Sequence, residues 1–227
     1  MGADARWPAT ADELEAVQRV LAEAAPPQWM PPDRPLAVAG CFACFGRGYR
    51  GPGEAGEHGW AAAATFRHKK CVASATITGR SGGPYMPGLL ALRSGALLDD
   101  ATRSLPERPD VLIVDATGYD HPRRAGLALH LGAVLDLPTV GVTHRTLLAV
   151  GEWPAREVGA ASPLRLDHVL VGYWVRTRDG RRPVAVHAGW RTDPDVAVRV
   201  VLSVARHRTP EPLREARRLA RTARALG

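Results

Sequence analysis

Residues 111–124 read VLIVDATGYDHPRR, and this stretch decides the fold of the chain. Four apolar residues run directly into Asp115, and a glycine turn and a His-Pro-Arg-Arg cluster follow. A short, continuously apolar run rich in β-branched residues and bounded by turn residues is typical of a strand buried on both faces. Asp115 then lies at the carboxyl end of a central strand, where open α/β sheets place their ligand crevices. We therefore predict a functional role for Asp115, with capping of the following turn as the alternative.

The rest of the sequence predicts one α/β domain over residues 1–227, with a mixed sheet flanked by helices. Residues 1–35 supply an N-terminal helix and a proline-rich arm, and residues 209–227 supply a basic C-terminal helix. The predicted strands cover residues 36–45, 60–66, 71–79, 111–114, 138–142, 167–176 and 182–188. The predicted helices cover residues 9–24, 89 to 106, 123–135, 193–207 and 211–226.

The composition and charge of the chain limit the classes of function. At 227 residues the chain is long enough for a three-layer core. It has no 18-residue apolar run, so we expect a cytoplasmic protein without a membrane segment. The net charge is +7, but residues 199–227 hold eight arginines against two glutamates, which leaves the remaining chain nearly neutral. A solvated arginine-rich helix explains this distribution better than an extended phosphate-binding surface does.

The three cysteines do not predict a metal site or a disulfide framework. Their odd number argues against paired disulfides. Cys41 and Cys44 form a Cys-x-x-Cys pattern within a predicted strand, where residues three apart point to opposite faces of the sheet. We therefore expect two buried, small hydrophobic residues.

Two segments present candidate binding residues. Tyr85 stands between Pro84 and Pro87, which restrict the backbone and hold the aromatic ring outward. A tyrosine packed on the lip of a loop is the alternative interpretation. His121, Arg123 and Arg124 would lie at the start of the predicted helix 123–135, where a helix N-terminus and guanidinium groups suit an anion. Capping of the loop by His121 is an equal alternative.

Several blocks of this sequence, in the same order along most of the chain, resemble the endonuclease V family. Residues 111–124 match its strand-Asp-Gly-x-Gly-x-x-His-Pro-Arg-Arg segment, and residues 84–93 (PYMPGLLALR) are similar to its Pro-Tyr-Ile-Pro-Gly-Phe-Leu-x-Phe-Arg segment. Residues 137–142 (LPTVGV) and 209–212 (TPEP) resemble its Val-Pro-Thr-Ile-Gly-Val and Pro-Glu-Pro segments. The resemblance implies a ribonuclease H-like fold. It also identifies Tyr85 with the family's wedge, which enters nucleic acid beside the target base.

The resemblance also implies where a divalent metal would bind, and most of those positions differ here. Family enzymes hold the metal with carboxylates on three elements, assisted by a histidine and a lysine. Asp115 matches the aspartate of the central strand, whereas the other four positions fall on Phe42, Ser94, His144 and Trp190. Hard cations need several oxygen ligands. We therefore predict a degenerate site with no metal and no family-type cleavage.

The favoured hypothesis is a repurposed small-molecule enzyme that needs neither a metal nor another cofactor. Asp115 would act as the general base, because apolar walls disfavour a charged carboxylate. His121 would assist, and Arg123 and Arg124 would bind the sulfate or phosphate ester of an anionic substrate. The remaining candidate residues, which would shape the cavity or contact the substrate, are Phe42, Tyr85, Ser94, Thr117, His144 and Trp190.

The resemblance suggests one reaction for such an enzyme. Endonuclease V-like proteins of this kind are associated with secondary metabolism, including the aziridine-forming step of azinomycin-type antibiotic biosynthesis. An amine would expel a sulfate ester within one molecule and close a three-membered ring. A sulfotransferase, which makes the ester, would be the implied partner protein.

Three other functions stay open. The first is a catalytically dead or weakened relative that binds deoxyinosine or branched nucleic acid through Tyr85 and the basic C-terminal helix. The second is a metal nuclease with a rearranged site, in which Asp99 or Glu54 supplies a ligand. The third is a scaffold subunit that stabilises another enzyme.

Overall fold

The computed structural model describes residues 7–46 and 51–227. Its eight strands are β1 Val38–Phe45, β2 His58–Arg67, β3 Lys70–Arg80, β4 Val111–Val114, β5 Thr139–Thr143, β6 Ala161–Leu166, β7 Val169–Val175 and β8 Val184–Ala188. They form one sheet in the order β3-β2-β1-β4-β5-β8-β7-β6. Strands β1, β4 and β5 are parallel, and the other neighbouring pairs are antiparallel. The mixed α/β sheet predicted from the sequence is confirmed.

The parallel centre of the sheet positions Asp115. Strand β4 lies between β1 and β5, with Val114 opposite Cys41 on one side and Gly141 on the other. All four β4 residues are fully buried, as their continuous apolar run predicts. Because β4 ends at Val114, Asp115 emerges at the carboxyl edge of the sheet between two neighbouring strands.

Five helices cover the two faces of the sheet. They are α1 Ala11–Glu23, α2 Leu90–Arg103, α3 Leu127–Leu135, α4 Pro194–Val204 and α5 Glu211–Leu226. Helices α1, α2 and α3 pack together over one apolar core, and α4 and α5 close the opposite face. Both faces of the sheet are therefore covered, which gives the three-layer architecture.

Helix α5 lies directly on strands β1 and β2. A Cβ atom on Gly40 would lie 2.5 Å from the carbonyl carbon of Pro212, so only glycine lets β1 approach the start of α5 this closely. The helix buries Leu213, Ala216 and Ala220 against the sheet. This close packing brings the arginines that flank the buried stripe to the carboxyl edge of β4.

The N-terminal helix forms as its sequence predicts. The Thr10 side chain accepts a hydrogen bond from the backbone N–H of Glu13, and the Glu13 carboxylate accepts one from the N–H of Ala9. These contacts satisfy N–H groups that have no partner within the helix. Leu14 and Leu21 are buried, so α1 packs against the rest of the domain.

Two elements differ from the sequence predictions. Helix α3 begins at Leu127 rather than at Arg123, and Arg124 adopts a left-handed turn conformation with φ 54°. Strand β6 was not predicted. It pairs with β7 through a tight turn in which Asp167 and His168 both have positive φ. Because neither residue is glycine, the sequence did not indicate a hairpin at this point.

The cysteine prediction is confirmed for the strand pair. Cys41 packs in the core beneath α2 and α3, whereas Cys44 packs beneath α5, on the opposite face. Burial raises the pKa of the Cys41 thiol to about 12, so it stays protonated. The predicted connection over residues 46–59 includes residues 47–50, which lie outside the described residues. Over the described ranges, none of the helices combines the length and apolar character that a membrane span requires.

Candidate functional site

Asp115 separates two small cavities at the carboxyl edge of the sheet. The first, which we call the Tyr85 cavity, has a volume of about 170 Å³, and its walls include Tyr85, Asp115, Thr117 and His121. The second, the Phe42 cavity, has a volume of about 120 Å³, and its walls include Phe42, Ser94 and again Asp115. The structure thus places five of the other predicted site residues around the central carboxylate of Asp115.

The loop that carries Tyr85 is fixed by hydrogen bonds to the carbonyl oxygen of Gly88. This oxygen accepts from Nε2 of Gln18 at 3.0 Å, from Nε2 of His121 at 2.9 Å and from Nη2 of Arg123 at 3.2 Å. Gly88 has φ 76°, a conformation that glycine adopts without strain. The Tyr85 side chain is 51% exposed at the mouth of the cavity, so a rigid loop holds an aromatic ring towards solvent.

The turn after β4 forms a second wall of the Tyr85 cavity. A Cβ atom on Gly118 would lie 1.8 Å from the carbonyl oxygen of Ala188, so this turn requires glycine. The carbonyl oxygens of Thr117 and Gly118 accept hydrogen bonds from Ala128 and Gly126, respectively. The turn is therefore anchored to α3 on one side and to the end of β8 on the other, and Thr117 lines the cavity.

His121 acts as a fixed part of the wall. The backbone N–H of Arg123 donates to its Nδ1 at 3.2 Å, so Nε2 carries the proton that is donated to Gly88. Burial lowers the pKa of His121, and the nearby charge of Arg123 lowers it further against the raising effects of Gly88 and Asp120. A neutral imidazole with both nitrogens occupied fits the loop-capping alternative better than it fits proton transfer.

Arg123 and Arg124 do not form the predicted anion site. Arg123 donates to Oε1 of Gln18 at 2.6 Å and pairs with Glu15 at 3.3 Å. Arg124 pairs with Asp167 at 2.8 Å and also donates to the carbonyl oxygen of Leu166. Because α3 starts only at Leu127, neither guanidinium lies at a helix N-terminus.

The helix α5 side of Asp115 carries a residue that the sequence analysis did not select. Nη2 of Arg217 lies 2.7 Å from Oδ2 of Asp115. The same guanidinium lies over the ring of Phe42, with 5.1 Å between its carbon and the ring centroid, and Arg221 lies over that ring at 5.7 Å. The sequence places Arg217 next to Ala216, at the flank of the buried stripe of α5, but that position does not specify the contact with Asp115.

His144 lies on this same side. Its Nε2 is 3.0 Å from Oγ1 of Thr209. Burial lowers the pKa of His144, and the charges of Arg208 and Arg217 lower it further, against the raising effect of Asp115. The histidine is therefore neutral near pH 7 and stands among two guanidinium groups and one carboxylate.

Trp190 is not part of the group around Asp115. Its backbone N–H donates to Oγ1 of Thr139, and its carbonyl oxygen accepts from the N–H of Thr139. Thr139 begins β5 and lies level with Leu112, so Trp190 is near the opposite edge of the sheet from Asp115. Its ring packs with α1 and α3, and the predicted contact with the cavity is not formed.

Ser94 and Asp99 both belong to α2, but only Ser94 reaches the site. Ser94 is buried in the wall of the Phe42 cavity. The Asp99 carboxylate is bound elsewhere, since it accepts from Nε1 of Trp7 at 3.1 Å and from Nε of Arg103 at 2.7 Å. Asp99 therefore does not complete a cluster with Asp115.

A buried carboxylate beside the cavity was also not selected from the sequence. Asp120 is fully buried and accepts hydrogen bonds from the backbone N–H groups of Leu147, Leu148 and Ala149, at 2.7 to 2.8 Å. Leu147 lines the Tyr85 cavity. Asp120 therefore fixes the segment that closes this cavity on its outer side.

The residues around Asp115 do not fit a divalent metal. Across residues 7–46 and 51–227, no three histidine, cysteine, aspartate or glutamate side chains come together as metal ligands would. The cation that faces Oδ2 of Asp115 is the guanidinium of Arg217. Phe42 and Ser94 offer a ring and a hydroxyl where the resemblance implies carboxylates, and a hard cation requires more oxygen ligands than this.

Comparisons with known proteins agree with the resemblance. Residues 38–218 match the family model described as Endonuclease V. The Endonuclease V of Roseiflexus sp. strain RS-1 is 44% identical over 138 residues, which make up 60% of this chain and 62% of that protein. For three such relatives, the matched region makes up 58% to 62% of the relative's own length.

Solved structures share the fold. The Endonuclease V from Streptomyces avermitilis superposes with a TM-score of 0.83 at 36% identity, covering 96% of this chain and 95% of that one. The Endonuclease V from Ciona intestinalis, in complex with a 24mer DNA that contains an inosine followed by a ribo-adenosine, superposes with a TM-score of 0.77. It is 18% identical, covers 93% of this chain and 96% of that one, and supports the fold alone.

Proposed function

Since the chain belongs to the endonuclease V family, matching its model over residues 38–218, we propose that it binds nucleic acid without cleaving it by the family's metal-dependent route. In this function a base leaves the stack and enters the Tyr85 cavity, and Tyr85 fills the space beside it. The proposal corresponds to the nucleic-acid-binding alternative of the sequence analysis.

The observation that carries this proposal is the pairing of an exposed aromatic ring with a cavity of base size. Tyr85 stands at the mouth of the 170 Å³ cavity on a loop fixed through the Gly88 carbonyl. Proteins that extrude a base need both an aromatic or apolar residue to occupy the stack and a small pocket to receive the base. The Ciona relative, which shares the fold, was solved with inosine-containing DNA.

The cavity walls suit a planar, partly polar ligand. The apolar part comes from Met86, Leu90 and Leu127, and the polar part comes from Thr117 and Asp115. Aromatic and apolar walls with a few fixed hydrogen-bonding groups are typical of small-ligand pockets. The paired Gly88 and His121 groups give the pocket a shape that does not depend on the ligand.

The pairing of Asp115 with Arg217 and the lack of a second carboxylate in the walls of the Phe42 cavity support the proposed absence of hydrolysis. Phosphodiester hydrolysis needs a group that stabilises the developing negative charge and one that generates the nucleophile. Asp115 faces Arg217, and the neighbouring Phe42 ring and Ser94 hydroxyl add no second carboxylate. The chain therefore supplies a base pocket and a positive contact, and no step is assigned to a metal.

Fluorescence anisotropy tests the binding half of the proposal. A short labelled oligonucleotide with one deoxyinosine should bind, and Tyr85→Ala should weaken binding roughly tenfold, because base–aromatic stacking is worth about 1–3 kcal/mol. Trp153→Ala is the matched control. Trp153 and Tyr85 are similarly exposed, at 55% and 51%, but Trp153 does not line the cavity. Equal binding by native protein and Tyr85→Ala would overturn the proposal.

Incubation of the same oligonucleotide with Mg²⁺ or Mn²⁺ tests the other half. No nicked product is expected from the native protein, with an active family enzyme as the positive control. Metal-dependent nicking that disappears in Asp115→Asn would replace this function with that of a rearranged metal nuclease.

The repurposed small-molecule enzyme is the second candidate. The observation in its favour is that Asp115 has a cluster of cationic and neutral donors beside it, Arg217 and His144, which would bind a sulfate ester. The amine nitrogen would attack carbon, sulfate would leave with the C–O electrons, and the amine proton would pass to Asp115. Release of inorganic sulfate from an amine-bearing sulfate monoester, lost in Asp115→Asn, would favour this candidate.

A further inference from the structure

Arg217 has unused hydrogen-bonding capacity at the centre of the site. Its Nη2 donates to Asp115 at 2.7 Å, and its side chain is 24% exposed. Its Nε atom is buried and has no hydrogen-bond partner within the described part of the chain. A guanidinium carries five N–H donors, and a buried donor without an acceptor is unfavourable by roughly 1–3 kcal/mol. Nε itself is enclosed by the protein, so an acceptor from outside would reach the guanidinium through the 24% of the side chain that is exposed.

The charges around Arg217 favour an anion as that acceptor. Arg208 donates to the carbonyl oxygens of Arg182 and Pro183. Both acceptors are neutral, so these two hydrogen bonds leave the positive charge of Arg208 uncompensated. His144 and Thr209 add polar groups beside it. Arg217 faces the carboxylate of Asp115, and the charges of both Arg208 and Arg217 act on the neighbouring His144. The local excess of positive charge favours an anion.

The outer arginines of α5 are different. Arg214 pairs with Glu211 at 3.5 Å, and Arg218 pairs with Glu215 at 2.6 Å through an exposed side chain. Their charges are compensated within the helix. The difference sets Arg217 apart from the solvated arginines on the same element.

We propose that Arg217 is the phosphate-binding residue of this protein. This role rests on the proposed nucleic-acid function. Held by Asp115 through one nitrogen, its guanidinium donates an exposed N–H group to a phosphodiester oxygen of the bound strand. Asp115 lines the Tyr85 cavity and contacts Arg217, so the base and the phosphate of one nucleotide lie on either side of the same carboxylate. The Arg217 side chain thus supplies, beside Asp115, the positive charge that a bound cation would otherwise supply.

Salt titrations of oligonucleotide binding test this role. Arg217→Gln should weaken binding about tenfold, and the slope of log K against log salt should fall by about one, because one phosphate contact is lost. Arg217→Lys keeps the charge and should keep the slope, although it loses the planar fork. Arg218→Gln is the matched control on the next residue and should change affinity by less than about twofold.

Asp115→Asn separates phosphate binding from a merely structural ion pair. If Arg217 binds phosphate, Asp115→Asn should keep the native salt slope, because the guanidinium and its phosphate contact remain even if the base contact of Asp115 is weakened. If Arg217 only supports Asp115, Arg217→Gln should keep the native salt slope and lose only as much affinity as Asp115→Asn does, and the inference fails. Thermal melting of each variant confirms that it is folded.

The two proposals fail in different ways. Native protein that binds no oligonucleotide would overturn both. Native binding that depends on Tyr85 but keeps its affinity and salt slope in Arg217→Gln would overturn only the phosphate-binding role of Arg217.

Discussion

The two sides of Asp115 satisfy their polar groups in opposite ways. On the Tyr85 side, the polar groups that hold the wall are bound to one another, as when three donors converge on the Gly88 carbonyl and three N–H groups converge on Asp120. On the helix α5 side, Arg217 keeps a buried Nε without a partner among the described residues. A preorganised wall defines a shape, whereas an unsatisfied cationic donor defines a ligand charge. In the proposed function, this difference separates the part of the site that would recognise a base from the part that would attract a phosphate.

The largest expected effect tests how firmly the Tyr85 side is built. Asp120→Ala removes the buried acceptor of three backbone N–H groups and should lower the free energy of unfolding by roughly 3 kcal/mol, since donors left without an acceptor are costly. Urea unfolding followed by circular dichroism measures the loss. Asp167→Asn is the control, because this carboxylate is 81% exposed in a surface ion pair and should contribute less than about 1 kcal/mol, and asparagine tolerates the positive φ of this position. Equal losses in the two variants would show that the wall is not held by Asp120.

A second prediction uses pH to test the same wall. His187 faces Asp120 at 3.9 Å, and burial lowers its pKa to about 4 against the raising effect of that carboxylate. Burial also lowers the pKa of His130, which stacks on Trp7, to about 4. In the unfolded chain both residues titrate near 6.5, so between pH 6.5 and 4 the unfolded state binds more protons than the folded state.

Stability is therefore expected to fall as the pH drops from 6.5 towards 4, by at most about 1.4 kcal/mol per pH unit for each histidine. Urea unfolding at a series of pH values measures the slope. His130→Leu should remove one histidine's share and give a shallower dependence, and an unchanged slope in that variant would show that His130 is not one of the responsible groups.

The third prediction asks whether charge alone distinguishes the α5 side from a metal site. The double substitution Phe42→Asp with Arg217→Asp would place two more carboxylates beside Asp115, and a cation with oxygen ligands needs such a set. We expect Mn²⁺ to raise the melting temperature of this variant, by an amount equivalent to about 1.4 kcal/mol at roughly ten times its Kd. The native protein should show no such rise. A comparable rise in the native protein would contradict the assignment of Arg217 as the cation of the site.

The fold could be predicted further than the site because its signals are local. The apolar run of β4 and the turn residues after it place Asp115 at the sheet edge without any long-range information. Arg217 reaches Asp115 across 102 positions of sequence, through the close approach of Pro212 to Gly40, and no periodicity in α5 specifies that contact. Trp190 illustrates the reverse error, since a motif position was assigned to the cavity although its hydrogen bonds to Thr139 hold it elsewhere.

The smallest expected effect concerns Phe42, which joins the two sides. Its ring lines the Phe42 cavity and lies beneath the guanidinium groups of Arg217 and Arg221. Phe42→Leu keeps an apolar wall but removes the π-face, and a cation–π contact at a partly exposed site is worth about 0.5–1 kcal/mol. Oligonucleotide affinity should therefore fall by roughly two- to fivefold, because Arg217 loses the surface that orients it. Tyr85→Ala introduced into the Phe42→Leu protein should weaken binding by the same factor as Tyr85→Ala in the native protein, since the proposed base and phosphate contacts are separate. Strong non-additivity between the two substitutions would show instead that the two sides act as one unit.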